Sequence, residues 1–257
     1  MNPERTPLIA GNWKMNPTSH QEAVDLAQKV GFLNPSGREV AVCPPSPYLE
    51  AVEGELSSGS GNVRLGAQDI SQDDKGAHTG EVSGEMLKDL GCEYVIVGHS
   101  ERREAGETDE VVKEKVRAAL RNALSPILCV GEKLKERESG DAEAIVTEQL
   151  TKALDGLTAE DMAEVVIAYE PVWAIGTGKN ATPEDAEGMC SHIRSEIARL
   201  FTQAVADKIL ILYGGSVKPE NIDNYMAQPD VDGALVGGAA LKAEDFANIV
   251  NFDVEEE

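Results

Sequence analysis

Short runs of apolar residues recur along the chain, and stretches with helical spacing separate them. Each run is almost continuously apolar, as expected of parallel strands that are covered on both faces, whereas half-exposed strands would alternate between apolar and polar positions. The pattern predicts eight strands, namely Leu8–Ala10, Val40–Cys43, Val63–Ala67, Tyr94–Val97, Ile127–Val130, Val165–Tyr169, Ile209–Tyr213 and Ala234–Val236.

The segments between the strands carry apolar stripes and end signals that are typical of helices. Ser19 and Glu22 match a capping box, and Thr182 places a cap directly before Pro183, a residue favoured in the first helical turn. The clearest stripes are Val112, Val116, Ala119, Leu120 and Ala123 in one segment and Ala186, Met189, Ile193, Ile197 and Leu200 in another.

Eight alternations of strand and helix in 257 residues predict a closed (β/α)₈ barrel, an α/β fold in which residues 1–257 form a single domain. No composition shift or proline-rich linker divides the chain. A doubly wound open sheet is the structural alternative. That fold would show an early Gly-x-Gly-x-x-Gly turn, and none follows the first predicted strand.

Charge and cysteine usage narrow the classes of partner and compartment. The formal net charge of −23 argues against nucleic-acid or anionic-membrane binding, because either partner would be repelled. The acidic surface fits either a highly soluble protein or adaptation to a salty interior. No apolar stretch is long enough to cross a bilayer, so we expect a soluble protein. Four widely spaced cysteines form no metal-binding pattern and predict reduced, buried thiols and a cytoplasmic location.

Polar residues with catalytic potential follow several of the predicted strands. Asn12 and Lys14 come after the first strand and supply an amide and an ammonium group that could hold an anion. His99 follows the fourth strand, and Glu170 follows the sixth, directly before a loop rich in glycine. A carboxylate at a strand end before such a loop suits a general base that is covered by a lid.

Glycine pairs follow the last two strands, where barrels of this kind commonly bind phosphate. The pairs are Gly214-Gly215, which precedes Ser216, and Gly237-Gly238. Backbone N–H groups at glycine can surround an anion without obstruction by side chains. Either pair alone would fit a tight strand-to-helix turn, but both together favour a phosphate site.

These motifs occur in one order over nearly the whole chain, and in that order the chain resembles the triosephosphate isomerase family. The resemblance implies interconversion of glyceraldehyde 3-phosphate and dihydroxyacetone phosphate through an enediol(ate), within glycolysis and gluconeogenesis. It implies an aldose–ketose isomerase with no metal and no cofactor, acting on a small phosphorylated triose. It also implies a homodimer.

The resemblance assigns the catalytic roles to four residues. Glu170 is implied as the base that moves the carbon-bound proton, and His99 as the group that polarises the carbonyl. The histidine would act as a neutral imidazole beside a helix N-terminus, for which triosephosphate isomerase is itself the standard case. Lys14 would meet the negative charge of the substrate, and Asn12 would position the oxygen or the lysine.

The same resemblance implies a phosphate site and supporting residues. The phosphate would lie among Gly176, Ser216, Gly237 and Gly238. Glu101 is expected to support Lys14. The hydroxyl of Tyr213 is expected to bond to backbone near Ala181, at the end of the flap formed by residues 171–181.

A long loop, residues 68–81, resembles the family's interface loop, in which Thr79 reaches the active site of the partner subunit. Three residues depart from the family pattern: Asp69 stands where asparagine is usual, His78 where an aromatic residue is usual, and Asn180 where a β-branched residue is common. The first two bear on the strength of the interface, and the third bears on the stiffness of the flap's second hinge.

Two competing hypotheses belong to other classes. A phosphate-binding barrel with lyase or synthase chemistry would share the glycine pairs, but it has no reason to combine Asn12, Lys14, His99 and Glu170. A non-catalytic scaffold could lose any of these residues. A coupled assay of glyceraldehyde 3-phosphate consumption distinguishes all three hypotheses.

Overall fold

A computed structural model of the chain describes residues 5–174 and 181–254. Eight parallel strands pair in sequence order, and the eighth pairs with the first, so the sheet closes into a barrel. The strands are β1 Leu8–Asn12, β2 Glu39–Cys43, β3 Val63–Ala67, β4 Tyr94–Val97, β5 Ser125–Val130, β6 Val166–Tyr169, β7 Leu210–Tyr213 and β8 Gly233–Val236. The predicted barrel is confirmed. That residues 1–257 form one domain stays a prediction, because both ends lie outside the described residues.

Helices surround the barrel, each lying in a connection between two strands or after the last. They are α1 His20–Val30, α2 Leu49–Ser58, α3 Gly84–Asp89, α4 Ser100–Glu104, α5 Asp109–Arg121, α6 Leu134–Ser139, α7 Ala142–Ala153, α8 Pro183–Leu200, α9 Gln203–Ala206, α10 Ile222–Met226 and α11 Ala243–Val250. Short 3₁₀ turns occupy Ser46–Tyr48, Asp161–Glu164 and Gly238–Leu241. No helix among the described residues has the length and hydropathy needed to cross a membrane.

The strands are continuously apolar because the two faces of the sheet pack against different layers of the core. In β1, Leu8 and Ala10 point into the barrel, while Ile9 packs outward against the helices. The barrel interior is filled by residues from most of the strands: Leu8, Ala10, Ala41, Cys43, Ile96, Ile127, Cys129, Val166, Ala168, Leu212 and Leu235. The barrel is therefore a packed core, and a ligand can reach it only at its mouth.

The helix signals read from the sequence are confirmed in part. Thr182 and Asp185 form a reciprocal capping box at the start of α8, with Pro183 as its first residue. Ser19 accepts from the backbone N–H of Glu22, which is one half of the predicted capping box, and the Glu22 side chain makes no return bond to the Ser19 backbone. The inclusion of Ala123 in the stripe on α5 is wrong: the helix ends at Arg121, and Ala123 is exposed in a left-handed turn with φ 53°.

A buried ion cluster joins the beginning and end of the barrel at the amino ends of its strands. Asp232, which precedes β8, accepts from Arg5 Nε at 2.6 Å and from Arg194 Nη2 at 2.5 Å. It also accepts from the backbone N–H of Ile211 at 3.0 Å. Arg194 of α8 pairs in addition with Asp230 at 2.6 Å. The cluster thus ties residues before β1 and β8 to one helix.

Candidate active site

The residues predicted from strand ends meet at the carboxyl mouth of the barrel. They line a cleft of about 700 Å³ that contains Asn12, Lys14, His99 and Glu170. The loops after β7 and β8 form the other side of this cleft, with Ser216, Gly237 and Gly238 among its lining residues. The parallel strands cause this convergence, because all their carboxyl ends lie at one end of the barrel. Gly176 and Asn180 lie outside the described residues.

The Glu170 carboxylate is almost fully buried and accepts hydrogen bonds on both oxygens. Oε2 accepts from the Ser100 backbone N–H, and Oε1 accepts from the Ser100 hydroxyl, each at 2.9 Å. His99 Nε2 lies 3.0 Å from Oε1. A Cβ on Gly131 would lie 1.8 Å from the carbonyl oxygen of Glu170, so only glycine fits beside its backbone. The carboxylate is held in one place by several neighbours.

The surroundings of His99 fix the position of its ring proton. Nδ1 accepts from the backbone N–H of Glu101 at 3.2 Å, and His99 is the N-cap of helix α4. An accepting Nδ1 carries no hydrogen, which leaves the proton of the neutral ring on Nε2. That proton faces Glu170. The imidazole is therefore arranged as a hydrogen-bond donor toward the cleft.

Lys14 has a strained backbone that the side chains of Asn12, at the end of β1, and Gln68, after β3, stabilise. Its φ of 53° lies in the left-handed region, which is uncommon for a residue other than glycine. Its backbone N–H donates to Asn12 Oδ1 at 2.9 Å, and Gln68 Nε2 donates to its carbonyl at 2.8 Å. The ammonium group lies 2.6 Å from Glu101 Oε1. These contacts direct the cation into the cleft.

The two glycine pairs differ in what surrounds them. A Cβ on Gly215 would lie 2.1 Å from the Tyr213 hydroxyl oxygen, and one on Gly214 would lie 3.0 Å from Glu170 Cγ. This pair is therefore required for close packing. At Gly238 an added Cβ would meet nothing within 4 Å. The backbone after β8 is thus open enough for a ligand to approach.

Thr79 is not brought to this cleft. It is exposed on the 68–81 loop and lines a separate depression with His78. Asp69, from the start of the same loop, lies 2.6 Å from Lys115 Nζ and 3.1 Å from Arg102 Nη2. The carboxylate at this unusual position is therefore paired within its own subunit.

Three residues that contact the site were not assigned a role from the sequence. Ser100, which binds Glu170, directly follows His99, and Gln68 supports the backbone of Lys14. Tyr225 of α10 donates to the carbonyl of Ala181, whereas the Tyr213 hydroxyl lies 3.5 Å from that of Tyr225. Ser100 could have been found from the sequence because it directly follows His99. Nothing local marks the other two.

Glu132 is a buried carboxyl group that the sequence analysis also missed. It accepts from the Tyr169 hydroxyl at 3.1 Å and from Arg137 Nη1 at 3.3 Å. Burial raises its pKa, against the hydrogen bonds from these partners. Arg137 also lies over the ring of Trp173, 4.2 Å from its centroid. Glu132 lies two residues after the end of β5, and this position at a strand end is the same signal that identified Glu170.

Comparison with known proteins gives one consistent result. The chain matches the family described as triosephosphate isomerase over residues 7–253. It is 55% identical over 250 residues to the triosephosphate isomerase of Herpetosiphon aurantiacus, covering 96% of this chain and 99% of that protein. It is 56% identical over 251 residues to that of Roseiflexus sp., covering 96% and 98%. Identity to that of Carboxydothermus hydrogenoformans is 54% over 248 residues, with the same coverage of 96% and 98%.

Proposed function

This chain belongs to the triosephosphate isomerase family, and from that premise we propose the chemical role of each residue in its cleft. The chain is an isomerase that interconverts glyceraldehyde 3-phosphate and dihydroxyacetone phosphate. The reaction moves a proton between adjacent carbons through an enediol(ate), while the carbonyl changes place. One base and one electrophile are sufficient for that chemistry.

Glu170 removes the proton from one carbon and returns it to the other. His99 donates from Nε2 to the substrate oxygen and passes protons between the two oxygens. The observation that carries this assignment is the 3.0 Å contact between Glu170 and a ring nitrogen whose partner nitrogen accepts a backbone N–H. A neutral imidazole can give a proton to the enediolate and take one back, so the same ring can act on both substrate oxygens.

Lys14 and Asn12 stabilise the negative charge that develops on the substrate oxygens. The ammonium of Lys14 reaches the cleft in a protein whose net charge is −23, so it provides a local positive site that an anion can approach. Asn12 holds the backbone of Lys14 in its left-handed conformation. Glu101 pairs with the ammonium and orients it.

The substrate phosphate binds between the loops after β7 and β8, near Ser216, Gly237 and Gly238. The openness of the backbone at Gly238 supports this assignment, as does the position of both loops on one side of the cleft. Gly176 belongs to the same proposed phosphate site. Tyr213 supports it from behind, because its ring fills the space beside Gly215.

We assign a homodimeric state, with the 68–81 loop at the interface and Thr79 completing the site of the partner subunit. The length of this loop supports the assignment, because ordered loops of this length usually have a function. A cytoplasmic location is part of the same proposal, and the four buried free thiols agree with it. Sedimentation that showed a fully active monomer at micromolar concentration would contradict the dimer.

Glu170→Gln tests the catalytic assignment in a coupled assay of glyceraldehyde 3-phosphate consumption. The change keeps the size of the side chain and removes its basicity, so we expect kcat to fall at least about a hundredfold. Inhibition by inorganic phosphate should change little, since Glu170 lies outside the proposed phosphate site. Parental turnover in the Glu170→Gln variant would show that another residue is the base.

A further inference from the structure

Tyr225 lies behind the cleft and has no part in the chemistry described above. It belongs to the short helix α10, and its side chain is buried. Its hydroxyl donates to the carbonyl of Ala181 at 2.6 Å, across 44 positions of sequence. Ala181 is followed by Thr182, the N-cap of α8. Tyr225 thus fixes the end of the connection between β6 and α8.

The same side chain supports Tyr213 at the end of β7. The two rings are stacked, with centroids 4.2 Å apart and planes inclined by 19°. Their hydroxyl oxygens lie 3.5 Å apart. Because Tyr225 gives its only hydroxyl proton to Ala181, Tyr213 must be the donor of this pair. A directed chain of hydroxyls therefore runs from Tyr213 through Tyr225 to Ala181.

Tyr213 transmits this support to the loop after β7. Its hydroxyl and ring occupy the space that a Cβ on Gly215 would need, with contacts of 2.1 and 2.3 Å. Helix α10 holds the same loop at a second point, because Asn221 Nδ2 donates to the carbonyl of Ser216 at 3.0 Å. The loop is thus fixed by Tyr213 of β7, which Tyr225 of α10 supports, and by Asn221, the residue before that helix.

We propose that Tyr225 is a positioning residue of the isomerase. It holds Ala181 and the Gly215–Ser216 loop at a fixed separation and so shapes the binding site of the substrate phosphate. The inference rests on the proposed assignment of Ser216 to the phosphate site. Tyr225 does not touch the substrate. It acts through Tyr213 on one side and through the Ala181 carbonyl on the other.

Tyr225→Phe is the direct test, because it keeps the stacked ring and removes only the hydroxyl. We expect KM for glyceraldehyde 3-phosphate and the inhibition constant of inorganic phosphate to rise together by roughly 2- to 10-fold, the range set by the net value of one hydrogen bond. The fall in kcat should be smaller. Tyr225→Leu removes the stack as well and should raise both constants further.

Tyr94→Phe is the matched control. Tyr94 is a half-buried tyrosine whose hydroxyl likewise donates to one acceptor, Glu39 Oε2, at 2.5 Å. It begins β4, at the opposite end of the barrel from the cleft. Loss of the Tyr94 hydroxyl should lower thermal stability without changing the inhibition constant of inorganic phosphate. If Tyr225→Phe behaves in the same way, Tyr225 is only structural and the inference is wrong.

Ser216→Asp, measured in parallel, tests the phosphate site separately from Tyr225, because a carboxylate beside the site repels phosphate whether the Ser216 hydroxyl or the backbone N–H groups of the loop bind it. A weaker inhibition by phosphate in this variant supports the phosphate site itself. If Ser216→Asp weakens inhibition and Tyr225→Phe does not, only the role of Tyr225 fails. If Ser216→Asp leaves inhibition unchanged, the assignment of the loop to phosphate is wrong and the positioning role fails with it.

Discussion

Gly215→Ala should destabilise the protein through a single clash beside the cleft. The added Cβ would lie 2.1 Å from the Tyr213 hydroxyl oxygen and 2.3 Å from its Cζ. Carbon atoms pack favourably at about 3.5–4.0 Å, so ring and loop must separate by more than about 1 Å. Tyr213 is 1% exposed and stacked on Tyr225, which leaves the ring little room to move.

The expected magnitude follows from the cost of overpacking a close-packed interior. An extra methyl group of this kind costs about 1–3 kcal/mol of folding free energy. For a protein of this size, each kcal/mol lowers Tm by about 2–4 °C, so the expected fall is roughly 2–12 °C. If the loop moves instead of the ring, Ser216 moves with it, and the inhibition constant of inorganic phosphate rises.

Gly238→Ala is the control, because it makes the same chemical change at an open position of the same mouth. An added Cβ there meets nothing within 4 Å, so Tm should stay within the range that about 0.5 kcal/mol produces. Both variants are measured by thermal unfolding followed by circular dichroism. Equal melting temperatures for the two variants would refute the packing argument at Gly215.

Three further predictions concern chemistry, stability and thiol reactivity. His99→Asn should lower kcat by about 10²–10⁴ in the coupled assay while the fold survives, because the amide oxygen can still accept the N–H that Nδ1 accepts now; unchanged turnover would remove His99 from the mechanism. Asp232→Asn leaves Arg5 and Arg194 with a neutral partner and should lower the free energy of unfolding, measured in urea, by about 3–5 kcal/mol. An unchanged urea midpoint would mean that the ion cluster does not stabilise the fold. Burial raises the pKa of the Cys92 thiol to about 12, so only about one molecule in 10⁴ carries this thiolate at pH 8. A thiol reagent should therefore react slowly with the native protein and with all four cysteines after denaturation. A fast reaction at Cys92 in the native protein would contradict this.

The strands could be predicted because burial on both faces makes each of them a continuous apolar run. The bounds agree with the structure to within two residues. The largest differences are at the end of β1, which extends to Asn12 where the apolar run indicated Ala10, and at the start of β5, which begins at Ser125 where the run indicated Ile127. Pro126 hid that start, since proline is tolerated only near strand ends or on edges. The inclusion of Ala123 in the helix was wrong for another reason. Periodicity does not show where a helix stops, and the turn after α5 begins one residue earlier.

The cleft was predictable to the extent that strand order decides which residues meet. Parallel strands bring their carboxyl ends together, so His99 and Glu170 converge although 71 positions separate them in the numbering. The contacts that hold these groups are less predictable. Tyr225 reaches Ala181 from a different helix, and Gln68 reaches Lys14 from a different strand end. Such hydrogen bonds depend on side-chain directions that a single sequence does not contain.

The ion cluster at Asp232 has a consequence for how the chain is made. Arg5 leaves the ribosome before its partner Asp232, which follows 227 positions later in the chain. Until Asp232 and β8 emerge, the β1 edge of the sheet lacks its neighbour, and the open strand edge can pair with another nascent chain. Joining such distant segments also carries the entropy of closing a very long loop. Closure of the barrel therefore waits until β8 has been made, and the β1 edge is exposed to misassembly until then.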